Sequence, residues 1–84
     1  MKYKIDIAPL SNYYVVVVKD KETDKLIESF TINESGADML RLFCQTDDIG
    51  TVSERIAEKY DVSPEQVSKD VETFACKLKK RGLL

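Results

Sequence analysis

The chain has 84 residues, which is enough for one small domain that buries only about 60–65% of its unfolded surface. Thirteen basic and fifteen acidic residues give a net charge of −2, without the basic excess with which nucleic-acid binders contact phosphates. The chain has no histidine, and therefore lacks the commonest general base and metal ligand. We expect a single domain over residues 1–84 that is not an enzyme, binds no metal and needs no cofactor.

The two cysteines, Cys44 and Cys76, stand among apolar residues at helical spacing. Two thiols without histidine partners make a poor zinc site, so we expect both to be buried, free and slow to react. The first residues, 1–7, alternate in polarity and show no signal peptide. The longest apolar run, residues 13–18, is too short to cross a bilayer. These patterns favour a cytoplasmic protein without a membrane partner.

The first part of the chain has the patterns of three β-strands. Residues 3–7 alternate apolar and charged side chains, and Pro9 is expected to end this strand. Residues 13–18 are a dense β-branched run, which predicts a central strand covered on both faces. Residues 19–25 predict an exposed hairpin loop, and residues 26–32 a more polar returning strand. The predicted sheet order is 1-2-3, which leaves the third strand with a free edge.

Three helices should follow, because each has a start signal. Asn33 can cap a first helix of residues 34–44, Thr51 opens a capping box for the second, and Ser63 does so for the third. Gly82 suits the left-handed residue just past the third helix. The apolar stripes of the three helices are Ala37, Leu40, Phe43 and Cys44, then Val52, Ile56, Ala57 and Tyr60, then Val67, Val71, Phe74 and Leu78. The fold class is α+β, a three-stranded antiparallel sheet followed by three helices in a winged-helix-like order.

The basic end of the third helix, residues 77–81, raises the possibility of DNA binding. However, the N-terminal part of that helix, which would enter the major groove, carries Glu65, Asp70 and Glu72. Cations are also expected at the C-terminus of any helix. A winged-helix DNA-binding protein is therefore an alternative, and we favour a protein that does not bind nucleic acid.

The free edge of the third strand lies beside the amphipathic third helix in this arrangement. An edge and a helix of this kind form a groove that can accept an extended peptide as a fourth strand. Backbone pairing would supply affinity, and helix side chains would supply selectivity.

Two parts of the sequence resemble the PqqD-like family. The first is the run Ile-Asn-Glu-Ser-Gly-Ala at residues 32–37, continued by Leu40 and by residues 52–56 and 60–62. The second comprises Asp70, Val71, Phe74, Leu78 and the terminal Gly82, Leu83 and Leu84. The resemblance covers residues 13–84. It implies a three-stranded antiparallel sheet with three helices, and a peptide chaperone or RiPP recognition element.

A protein of this family would bind the leader segment of a ribosomally made precursor peptide and present it to a modifying enzyme, often a radical SAM maturase. The resemblance places the leader in the cleft between the third strand and the third helix. The predicted peptide-binding residues are Leu26, Ile27, Glu28, Ser29, Phe30 and Thr31 on the strand and Asp70, Phe74, Lys77, Leu78 and Arg81 on the helix. The opposite helix flank, with Ser68, Ala75 and Lys79, is an open alternative. We expect a monomer or weak dimer; an adaptor that binds only a maturase or self-associates is a further alternative.

Overall fold

Three strands followed by three helices make up residues 3–84, the part of the chain that the computed structural model describes. The elements are β1 (Tyr3–Leu10), β2 (Tyr13–Asp20), β3 (Leu26–Ile32), α1 (Glu34–Phe43), α2 (Ile49–Tyr60) and α3 (Pro64–Lys80). The strands form one antiparallel sheet in the order β1-β2-β3. The predicted α+β class, element order and sheet order are confirmed. Met1 and Lys2, which contributed to the signal-peptide interpretation, lie outside the described residues.

The first hairpin differs from the prediction at Pro9. This residue does not end β1 but pairs with Tyr14 of β2, and the strand continues to Leu10. Because β1 is an edge strand, the missing N–H of proline need not interrupt the ladder. A tight turn follows, in which Ser11 takes the left-handed conformation with φ of 57°.

The central strand β2 is covered on one face only, so the prediction of burial on both faces is wrong. Val16 and Val18 are fully buried against the helices. Val15 and Val17 point to the other face and are half-buried. The β-branched composition of this strand therefore fits a pleated, half-buried surface and does not require burial on both faces.

The second hairpin is shorter than predicted, because β2 continues to Asp20. The Asp20 carboxylate accepts hydrogen bonds from the backbone N–H groups of Glu22 (2.9 Å) and Thr23 (3.0 Å). This side chain replaces backbone partners in the turn, which is a usual role of aspartate in loops. The returning strand β3 has the predicted bounds.

Helices α1 and α3 begin where predicted. The Asn33 side chain accepts a hydrogen bond from the backbone N–H of Gly36 at 2.8 Å, which caps α1. At the start of α3, the backbone N–H of Ser63 donates to the side-chain oxygen of Gln66 at 3.1 Å.

Helix α2 begins earlier than predicted, at Ile49, with Asp48 as its N-cap. The predicted start at Thr51 is wrong because the hydroxyl of Thr51 donates to the Asp48 carboxylate at 2.6 Å. The Asp48 side chain makes no capping hydrogen bond to the helix backbone, and the earlier start lets Ile49 pack against the core.

The C-terminus folds back over the end of α3, as predicted. Gly82 has a φ of 76°, and the backbone N–H of Leu83 donates to the carbonyl of Leu78 at 2.9 Å. Leu83 is only 1% exposed and belongs to the core. The last turn therefore adds Leu83 to the apolar core.

Two residues of the predicted apolar stripes, Tyr60 and Cys44, lie outside the core, and so does Cys76. Tyr60 is 41% exposed, and its hydroxyl donates to Asp38 at 2.6 Å instead of entering the core. Cys44 is the residue after α1 and Cys76 is one position past the buried Ala75, and both thiols are exposed. The predicted burial of the thiols is therefore wrong, while neither thiol forms a disulfide.

No helix within residues 3–84 is long and apolar enough to cross a membrane. Within the same residues, no three carboxylate, thiol or imidazole groups gather in a way that could hold a metal ion.

Candidate peptide-binding groove

A groove with a volume of 410 Å³ lies between β3 and α3, and the first turn of α1 borders one end of it. Its lining residues are Phe30, Thr31 and Ile32 of β3, then Asn33, Ser35, Gly36 and Met39, and finally Asp70, Thr73, Phe74, Lys77, Leu78 and Arg81. Among the described strands β3 pairs only with β2, so its outer edge is open along this groove. An unpaired strand edge beside a helix is the arrangement that accepts an extended peptide.

Two contacts fix the direction of α3 relative to β3. The Arg81 guanidinium forms an ion pair with Glu28 and lies 4.2 Å from the centre of the Phe30 ring. At the other end, the Phe74 ring packs 3.6 Å from the position that a side chain on Gly36 would occupy. The C-terminus of α3 therefore lies beside the start of β3, and the two elements run in opposite directions.

The floor of the groove is apolar and well packed. Leu78 and Met39 are buried, and the half-buried Phe74 ring stacks on Phe43 with 6.4 Å between ring centres. Gly36 matters here because an added Cβ would meet Ile32 at 3.2 Å. Its missing side chain allows α1 to start close against β3, which shapes this end of the floor.

The rim of the groove carries charge. Asp70 and Lys77 are exposed on α3, and neither forms an ion pair within residues 3–84. Arg81 is held by Glu28, with a cation–π contact to Phe30. Lys77 is therefore a rim cation that has no carboxylate partner within residues 3–84.

Seven of the eleven predicted site residues line the groove: Phe30, Thr31, Asp70, Phe74, Lys77, Leu78 and Arg81. The other four lie on β3 outside the lining, although Glu28 reaches Arg81. Leu26 and Ile27 are 64% and 50% exposed at the start of the strand, and the exposed Ser29 points to the opposite face of the sheet from Phe30. That these residues contact a peptide stays a prediction.

The sequence left open which flank of α3 faces the edge of β3. The residues that line the groove show that it is the flank with Asp70, Lys77 and Arg81. None of Ser68, Ala75 and Lys79 lines the groove, and Ala75 is buried in the core. Sequence reasoning missed six lining residues, namely Ile32, Asn33, Ser35, Gly36, Met39 and Thr73. A usable signal existed for most of them, because a helix that starts directly after the edge strand must border the same groove.

A model of the family described as "Coenzyme PQQ synthesis protein D (PqqD)" matches residues 16–84. The chain belongs to the PqqD family. The match includes β3, α1 and α3, and hence every element of the groove, whereas β1 lies outside it. The predicted resemblance is confirmed.

Comparison with curated proteins finds no match. Among solved structures, this PqqD-family chain is similar to TbiB1, which was determined in complex with the TbiA(beta) leader peptide. The two share 21% sequence identity with a TM-score of 0.66, over 100% of this chain and 94% of the other. At this identity the similarity supports the fold.

Proposed function

We propose that this PqqD-family protein binds the leader segment of a ribosomally synthesised precursor peptide and presents it to a modifying enzyme such as a radical SAM maturase. The protein performs no chemistry itself, and residues 1–84 act as one cytoplasmic peptide-binding domain. One observation carries the proposal: the open edge of β3 stands beside an apolar groove in the part of the chain that matches the family. The leader peptide bound by the similar TbiB1 protein supports the same class of ligand.

In the proposed complex the leader adds to β3 as a fourth strand. Backbone N–H and C=O groups of β3 that face away from β2 pair with those of the peptide. Every second peptide side chain then points toward α3, where Phe74 and the other apolar groups of the floor receive it. The exposed Leu26 and Ile27 are large apolar side chains that a bound strand would partly cover.

The experiment is an NMR titration of the isotope-labelled protein with synthetic peptides that represent the N-terminal segments of short open reading frames beside its gene. Chemical-shift changes should concentrate in residues 26–36 and 70–81, which include the groove. Scrambled peptides of identical composition serve as controls. Changes confined to β1 or α2, or equal changes with the scrambled peptides, would contradict the proposal.

The presentation step has its own test with the modifying enzyme encoded nearby. Adding the protein should accelerate modification of the full precursor but not of a core peptide that lacks the leader. Equal acceleration of both substrates would show that leader binding is not its role.

A further inference from the structure

The groove has an acidic end and a basic end. Asp70 lies toward the start of α1, because α3 runs opposite to β3 with its C-terminus beside Glu28. Lys77 and Arg81 lie toward the start of β3. Asp70 and Lys77 are both exposed and have no ion-pair partner within residues 3–84. Each is therefore available to a charge on a bound peptide.

The start of α1 does not reverse this polarity. A helix N-terminus attracts anions, but the Asn33 side chain already caps the N–H of Gly36, and Glu34 adds a negative charge in the first turn. The end of the groove near Asp70 is thus acidic, and the N–H of Gly36 at the start of α1 is already bound by the Asn33 side chain.

The spacing of these charges matches an extended chain. At 1.5 Å per residue, Lys77 lies about 10 Å and Arg81 about 16 Å along the helix from Asp70. Two peptide residues four positions apart span about 13 Å in a strand, and the residue between them shares their face. One such triplet therefore reaches from Asp70, over the apolar floor, to the space between Lys77 and Arg81.

The direction of the peptide follows from the sheet. All strand pairs are antiparallel, and antiparallel pairing is slightly more stable per residue than parallel pairing. A peptide antiparallel to β3 runs in the same direction as α3. Its N-terminal part then lies at the Asp70 end, and its C-terminal part lies at the Arg81 end.

We propose, on the basis of the proposed function, that this groove selects peptides by charge register, meaning the order of charged side chains along the bound strand. The preferred segment carries a basic side chain, an apolar side chain and an acidic side chain at alternate positions, in that order from N to C. Asp70 pairs with the basic side chain and Lys77 with the acidic one, while the apolar one enters the floor at Phe74. These residues determine specificity, and the β3 backbone supplies affinity independent of sequence.

Glu28 acts as an internal competitor in this arrangement. It holds Arg81 by an ion pair in the free protein, and its like charge disfavours an acidic peptide side chain directly opposite it. The variant Glu28→Gln should release Arg81 and strengthen binding of a peptide with the preferred register by about threefold. The gain is small because a single exposed ion pair contributes little.

The test uses two acetylated and amidated threonine-rich peptides of identical composition. One carries Lys, Leu and Asp at alternate positions, and the other carries Asp, Leu and Lys at the same positions. The full chain is titrated with each peptide at low ionic strength, and dissociation constants are taken from NMR shifts. The first peptide should bind about three- to tenfold more tightly, from two exposed ion pairs.

A charge-exchanged protein sharpens the test. The double variant Asp70→Lys with Lys77→Glu should prefer the second peptide, whereas Lys79→Glu, on the flank of α3 outside the groove, should keep the original preference. Both exchanged residues are exposed, so the fold should persist, and circular dichroism verifies this.

Equal affinities for the two peptides, or a preference for the second by the unmodified protein, overturn the charge register. Absence of shifts at residues 26–36 and 70–81 with both peptides also overturns it. None of these results decides leader binding, which the titration with precursor segments tests separately.

Discussion

Asp38 shows what patterning cannot find at the scale of single residues. It lies among the apolar residues of α1 and is only 8% exposed. Lys59 donates to its carboxylate at 2.7 Å and Tyr60 at 2.6 Å, from 21 and 22 residues further along the chain. Burial raises the pKa of Asp38, but these hydrogen bonds and the nearby cations outweigh it and lower the pKa overall. Periodicity alone would place such a residue in solvent.

The substitution Asp38→Asn should lower the free energy of unfolding by about 2 kcal/mol at neutral pH, because it weakens two charge-assisted hydrogen bonds. A carboxyl group with a lowered folded-state pKa stabilises the fold above its ordinary pKa, and this stabilisation disappears as pH falls through the folded value. The difference between variant and original chain should therefore shrink below about pH 4. Urea unfolding at several pH values measures it. A constant difference across the acid range would contradict this account.

The two thiols are expected to differ in reactivity. Both are exposed, but partial burial raises the pKa of the Cys44 thiol, and thiolate is the reactive form. We expect Cys76 to react faster with a thiol reagent in the folded protein. The variants Cys44→Ser and Cys76→Ser assign the two phases of the labelling reaction. Faster labelling of Cys44 would show that its environment differs from the one described.

At the scale of elements, local signals predicted the starts of α1 and α3 and the end of α3, but not the start of α2 at Ile49, and features that depend on tertiary packing were missed. The caps at Asn33 and Ser63 and the left-handed Gly82 depend on residues within about four positions, so the sequence contains them. Pro9 was misjudged because its tolerance depends on β1 being an edge strand. The covering of β2 likewise depends on where the helices pack, which its β-branched composition does not specify.

The proposed role of β3 as a pairing edge leads to a prediction about proline. Thr31→Pro and Ser29→Pro each remove a backbone N–H and distort the strand, so each should weaken peptide binding about tenfold or more. The matched control is Asp6→Pro, at an exposed position of the other edge strand, β1. It should leave the dissociation constant nearly unchanged. Folded Pro variants of β3 that bind like the original chain would exclude pairing at this edge.

At the scale of the whole molecule, the groove between β3 and α3 could be predicted in outline, while peptide binding in it stays a prediction. The sequence placed an edge strand and an amphipathic helix beside each other, and seven of the predicted residues line the groove. It could not reveal the link between Arg81 and Glu28, which are 53 residues apart, because no local pattern encodes that contact. Nor could it decide between the two flanks of α3, because that choice depends on the packing that places Arg81 over Phe30.

The most direct measurement is a backbone N-methyl scan of a precursor segment that binds the protein. In an antiparallel pair, the N–H groups of alternate residues face the partner strand, so methylation should weaken binding at every second position and have little effect between. Each sensitive position should cost about 0.5–1.5 kcal/mol, or more where the methyl group meets β3. A strictly alternating profile across the segment opposite residues 26–32 is the predicted result. A uniform profile, or sensitivity at consecutive positions as in a bound helix, would contradict strand addition.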